Sequence, residues 1–242
     1  MREFAAKLPL LLMLTSWSGA WARPPGLEMD TGAVDTAFVE GDVLDLDDGP
    51  PVSVATPSCQ GRAGRFVDLP ERDSLFRQAS PDASKGTRLL VDTIVAAGEQ
   101  LAWQLPQGSP FVVGDLSRPG GGRFGGHKSH DAGLDADIGI YAVGGNQGDW
   151  FAELDSRTFD AEANWLLIRS LLDTGNVRRI LLDRGHINSL REWLQQEGVL
   201  SQDEIDRIFP PDGTPRLWEM DGVVRHATNH RNHLHLTVIC EQ

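Results

Sequence analysis

The chain has 242 residues, 24% of them charged, and a formal net charge of −13 at pH 7. Such acidity argues against nucleic acid as a partner, because phosphate binding needs a basic face. After the N-terminus no stretch reaches the roughly 20 apolar residues of a membrane span, so the mature chain is expected to be soluble.

Residues 1–22 read as a secretory signal: Arg2 and Lys7 flank a short basic start, residues 8–14 are apolar, and Ala20, Trp21 and Ala22 form a small-x-small cleavage site. Cleavage is expected after Ala22, delivering the chain to the periplasm. No cysteine follows the apolar run, which disfavours a lipid anchor. Residues 23–57 hold eight acids against Arg23 alone and no sustained periodicity, so they read as a disordered acidic linker. Residues 58–242 have the size of one ordinary domain. The only cysteines, Cys59 and Cys240, flank it, and an oxidising compartment allows them to pair. Such a bridge is worth about 5 kcal/mol in the chain-entropy model; two separate thiols are the alternative.

Within the domain, Leu89, Leu90, Ile94, Val95 and Leu101 at helical spacing predict a helix over 86–104, followed by a strand over 110–116. The glycine-rich run at 119–126 lacks both the lysine-hydroxyl ending of a phosphate loop and the dinucleotide spacing. It reads as a flexible or closely packed loop that lets its end approach a ligand, and its Arg123 and Lys128 can meet a substrate carboxylate. Residues 142–154, rich in Gly and ending near Trp150 and Phe151, form a substrate loop or a surface loop. Helices are predicted over 160–172, 187–196 (ended by Gly198) and 201–208 (capped by Ser201), with strands at 179–182 and 234–239. Strands separated by helices, with the last strand able to lie beside an earlier one, imply an α+β domain built on a small antiparallel sheet with flanking helices.

Chemistry concentrates in SHDAGLDADI at 129–138 and HRNHLHLTV at 230–238. If the second segment is a strand, His233 and His235 project from one face with Cα atoms about 6.7 Å apart. His130 and Asp137 would be about 10.5 Å apart along a continuous helix, too far to share one ion. A loop carrying His130 that turns at Gly133 into a strand carrying Asp135 and Asp137 brings them together instead. His186 and His226 stand alone and read as structural. The clustered His127, His130, His230, His233 and His235 beside Asp135 and Asp137 imply a metal site, since so many polar groups are costly in a core without an ion. Zinc, as a single ion, suits two imidazoles, one carboxylate and an open fourth position.

The spacing of His130, Gly133, Asp135 and Asp137, with His233 and His235 far downstream, resembles the LAS metallopeptidases, and among them the penicillin-insensitive murein endopeptidases. The likeness includes residues 114–138, 160–182 and 230–236. It implies that His130, Asp137 and His235 are zinc ligands, that His233 takes the catalytic position, and that His127 and His230 stand near the site. Asp135, at even spacing from Asp137, points the same way and is suited to orient a ligand imidazole, a turn-stabilising role being the alternative. The implied activity is hydrolysis of D-alanyl–diamino acid cross-links in peptidoglycan, without an acyl-enzyme serine for penicillin to trap. A D,D-carboxypeptidase or dipeptidase of the same chemistry is an alternative. It would need a cation for a terminal carboxylate, with Arg123, Lys128 and Arg231 as candidates. A noncatalytic wall-binding module with a structural zinc, His233 then being the fourth ligand, is another. The sequence leaves the oligomeric state open.

Overall fold

The computed structural model describes residues 66–122, 130–145, 147, 151–214 and 221–239. The signal and linker expected over 1–57, and the Cys59–Cys240 pair, lie outside the described residues. The described elements run β1 (Val67–Asp68), β2 (Phe76–Gln78), β3 (Lys85–Gly86), α1 (Arg88–Gln104), β4 (Phe111–Val113), β5 (Asp135–Gly139), α2 (Ala161–Leu172), β6 (Val177–Leu182), α3 (Arg184–Gln196), α4 (Gln202–Ile208), β7 (Val223–His226) and β8 (His233–Val238).

Each helix starts where a side chain satisfies its first free N–H groups. Thr87 Oγ1 accepts from Leu90 N at the head of α1, and Asp160 Oδ1 from Ala163 N at the head of α2. Asp183 caps α3, which therefore begins at Arg184, three residues before the apolar periodicity signals it. Ser201 and Glu204 form a reciprocal capping box on α4. The apolar stripe of α1, including Leu90, Ile94 and Leu101, is buried. At Gly98 an added Cβ would come within 3.1 Å of Leu75 Cβ, so this helix lies close on its neighbours because glycine lets it.

β1 and β3 form a two-stranded antiparallel ladder, and the other strands form a six-stranded sheet in the order β2-β4-β5-β8-β6-β7. The expected α+β class and a small antiparallel sheet are both present, and beside them stands a larger sheet that is mixed. Its centre, β4-β5-β8-β6, is antiparallel, but β2 pairs parallel to β4 and β7 parallel to β6. Both parallel neighbours are reached through helical crossovers, α1 in one case and α3 with α4 in the other, as parallel pairing demands. β2 and β7 are edge strands of three and four residues, too short to announce themselves by periodicity. The strand expected over 110–116 is also shorter, ending at Val113.

Alternation divides the sheet into two faces. Ala136, Ile138, Leu234, Leu236, Ile180 and Leu182 are completely buried on one, in a single core with the apolar stripes of α1, α2 and α3. The other face carries Asp135 and Asp137 from β5 and His233, His235 and Thr237 from β8. The two central strands are in register so that Asp137 lies opposite His235 and Asp135 opposite Thr237.

Candidate metal centre

The turn before β5 supplies His130. Its φ of 72° is unusual for a residue with a side chain, and Gly133 follows at φ 70°. Local contacts hold this geometry. Thr87 N donates to Gly133 O at 2.8 Å, Ser117 Oγ donates to His130 O, and a Cβ on Gly133 would strike the Phe66 ring at 2.4 Å. The imidazole is completely buried, and its Nδ1–H donates to Leu116 O at 2.6 Å, which fixes the tautomer with Nε2 as the lone-pair nitrogen. That Nε2 stands 3.4 Å from Asp137 Oδ1.

Three imidazoles converge on the same carboxylate oxygen. His235 Nδ1 lies 2.9 Å and His233 Nε2 3.6 Å from Asp137 Oδ1. One donor atom each from His130, Asp137 and His235 fits within 4.8 Å, all three residues being buried. Asp135 sits behind this group: its Oδ1 accepts from His235 Nε2 at 3.1 Å and from Thr237 Oγ1 at 2.7 Å. Holding Nε2–H in this way leaves His235 Nδ1 directed at Asp137, the arrangement that raises the basicity of a ligand imidazole.

Charge follows geometry. Burial works against ionising Asp137 and Asp135, but hydrogen bonds from the surrounding histidines outweigh it and hold both carboxyls below the ordinary carboxylate range. Burial likewise opposes a charge on His235, yet its bonds to Asp135 and Asp137 prevail and hold it up at about 9. His233 has no such clamp. Burial dominates the pull of Asp137 and takes it down to about 4, so it is neutral near pH 7. Its Nδ1 meets Asn232 Oδ1 at 2.7 Å, and the Phe151 ring packs against its imidazole at 5.7 Å between centroids.

Of the residues singled out in the sequence, His130, Asp137, His235, His233 and Asp135 are brought together. His230 lies at the rim, its ring 4.8 Å from that of His233 and its Nδ1 2.6 Å from Thr228 O. Arg231 is exposed and borders a cleft of about 300 Å³ with Asp155, Asp183 and His186. His127, Arg123 and Lys128 lie outside the described residues, as does Trp150. His186 is buried and stacked on Phe159 at 4.3 Å, and His226 is exposed on the edge strand.

Three neighbours escaped the sequence reading. Thr237, at even spacing from His235, was discoverable by alternation; Asn232 required the tautomer of His233. Gln147 bridges Gly139 O and Val112 N at 2.7 and 2.6 Å, and no sequence signal marks it.

Two imidazoles and a carboxylate, buried, convergent and oriented from behind, define a candidate single-ion metal centre of the kind found in hydrolases. Residues 80–150 match the family described as penicillin-insensitive murein endopeptidase, the family that the sequence resembles. The matched stretch spans α1 to β5 and contains His130 and Asp137, while β8 with His233 and His235 lies beyond it. No curated protein matches the chain. No helix among the described residues is long and apolar enough to cross a membrane.

Proposed function

We propose that residues 58–242 form a zinc-dependent murein endopeptidase that hydrolyses D-alanyl–diamino acid cross-links of peptidoglycan. The signal at 1–22 exports it to the periplasm and the acidic segment at 23–57 spaces it. The observation that carries this reading is the convergence of His130, Asp137 and His235 at the sheet face opposite the apolar core, in a chain matching a murein endopeptidase family over residues 80–150.

The donor set fits one ion. His130 through Nε2, His235 through Nδ1 and the Asp137 carboxylate would hold it, and this mixture with a position left over favours zinc. When bound, zinc polarises a carbonyl and makes water acidic enough to attack near neutral pH. The remaining work falls to the chain. Because Asn232 Oδ1 takes the Nδ1–H of His233, the other ring nitrogen is a bare acceptor facing Asp137. Kept neutral by burial, His233 accepts the proton of the attacking water at Nε2 and, once protonated, delivers it to the leaving amine. Phe151 covers one side of that imidazole, and Asn232 Nδ2 donates to Phe151 O at 3.3 Å, so one amide holds both the base and its cover.

Digestion of purified cross-linked muropeptides tests the reading. The mature protein should convert dimers to monomers, and chelator should abolish this. His233→Ala should lower the rate by about 10²- to 10⁴-fold, the usual worth of a positioned base, while still binding zinc. Release of terminal D-alanine with dimers intact would replace this reading with a carboxypeptidase. Zinc binding without cleavage would leave a wall-binding module.

A further inference from the structure

The face that carries the candidate ligands continues past β8 onto β6 and β7. Paired residues share a face, and the register sets out two rows: Asp137, His235, Leu181 and Arg225 in one, Asp135, Thr237, Arg179 and Val223 in the next. Two arginines therefore stand on the metal-site face, on the two strands beyond β8. With strands about 4.8 Å apart and alternate residues about 6.7 Å apart, the Cα of Arg179 lies about 8 Å, and that of Arg225 about 10 Å, from the Cα of His235. Two to three residues of extended peptide span that distance.

Neither guanidinium is neutralised by a described residue. Both residues are half-buried, Arg179 Nε is enclosed without a hydrogen-bond partner, and no carboxylate pairs with either among the described residues. Burial, with the neighbouring Arg179 charge, holds Arg225 below the ordinary arginine value. Other arginines of this acidic chain do find acids: Arg191 meets Asp206, Arg184 meets Asp212 and Arg169 meets Asp173. Packing of aliphatic stems over Leu181 and Val223 would account for two long side chains. It does not account for two like charges set diagonally on neighbouring strands with no carboxylate paired to either among the described residues, an arrangement that an anion completes.

We propose that Arg179 and Arg225 form an anion subsite that binds a carboxylate of the substrate peptide two to three residues from the bond that is cut. The identity of the peptide rests on the murein endopeptidase reading; the demand for an anion does not.

The test uses the zinc-loaded mature protein and a muropeptide monomer, which binds without being cleaved, in two forms: carboxylates intact, or amidated with carbodiimide and ammonia. The intact monomer should bind about tenfold tighter or more, the scale of a charge-assisted hydrogen bond. The double variant Arg179→Gln, Arg225→Gln should erase that preference while retaining its melting transition and its zinc. If the double variant does not fold, Arg225→Gln alone, on the edge strand, should reduce the preference several-fold. With cross-linked dimers as substrate, the substitutions should raise KM more than they lower kcat. Equal binding of the two monomers by the unaltered protein, or an undiminished preference in a folded variant, would overturn the proposal. The two readings fail separately. An arginine-dependent preference without dimer cleavage keeps the subsite and removes the endopeptidase, and cleavage without the preference does the reverse.

Discussion

Asp135→Asn tests the support behind the candidate metal centre with the least change in shape. Asp135 accepts from His235 Nε2 at 3.1 Å, from Thr237 Oγ1 at 2.7 Å and from His130 N at 3.4 Å. Asparagine keeps one acceptor oxygen but removes the charge, turning charge-assisted bonds of about 1.5–3 kcal/mol into ordinary ones of about 1 kcal/mol. The net loss should be about 1–2 kcal/mol, or about tenfold in zinc affinity, within the range known for groups that orient metal ligands. Competition with a chromophoric chelator above pH 9, where His235 carries no extra proton for the ion to displace in either protein, reads that change directly. A second readout is the His235 imidazole titrated by NMR in metal-free protein. It should fall from about 9 towards the ordinary histidine value, because one of the two carboxylates holding its proton is gone. Zinc affinity within twofold of the parent, with His235 still titrating near 9, would refute the assignment of Asp135 as the group that orients His235.

In the proposed zinc centre, entry of the ion must displace the proton that the two aspartates hold on His235. Because that pKa is raised, the proton is present at pH 7 and lost as pH rises through about 9. Calorimetry in buffers of different ionisation enthalpy should therefore find about one proton released per ion at pH 7, with affinity rising about tenfold per pH unit up to 9; buffer-independent heats would contradict this. Asn232→Leu should free His233 to adopt its other tautomer, lowering kcat by about tenfold or more with zinc affinity kept, since proton transfer by a positioned base is worth more than that. Equal kcat in steady-state assays would remove Asn232 from the mechanism. Gly139→Ala places a Cβ 2.7 Å from Gln147 Oε1 and 3.2 Å from Phe151, and should cost about 1–3 kcal/mol in urea unfolding, as overpacking does. An unchanged midpoint would mean that the Gln147 bridge yields without cost.

What the sequence discloses depends on whether the signal is local. β5 and β8 were readable because their polar and apolar residues alternate, and that alternation placed Asp135 with Asp137 and His233 with His235. The turn at Gly133 was readable because a helix could not bring His130 to Asp137. The helices were readable from their caps and stripes, although α3 began early because Asp183 caps it. The edge strands β2 and β7 were not readable: three or four residues carry no period, and their parallel pairing is settled by where α1 and α3 return the chain. The tautomer of His130 was hidden for a similar reason, since it depends on Leu116 O, fourteen residues earlier, arriving at the ring. Arg179 lay in a predicted strand, but its relation to Arg225 exists only through the register of β6 with β7.

The candidate ligands Asp137 and His235 lie on the two strands at the middle of the six-stranded sheet, with their reverse face sealed by the apolar core. Interior strands of this kind exchange their amide hydrogens only when the whole domain opens. A zinc finger needs its ion in order to fold, whereas this domain has a core that can assemble without one. The ion, once bound, then acts as a ligand of the native state: every tenfold excess over its dissociation constant slows exchange at β5 and β8 by a further tenfold, so these strands would report occupancy of the centre in the intact protein.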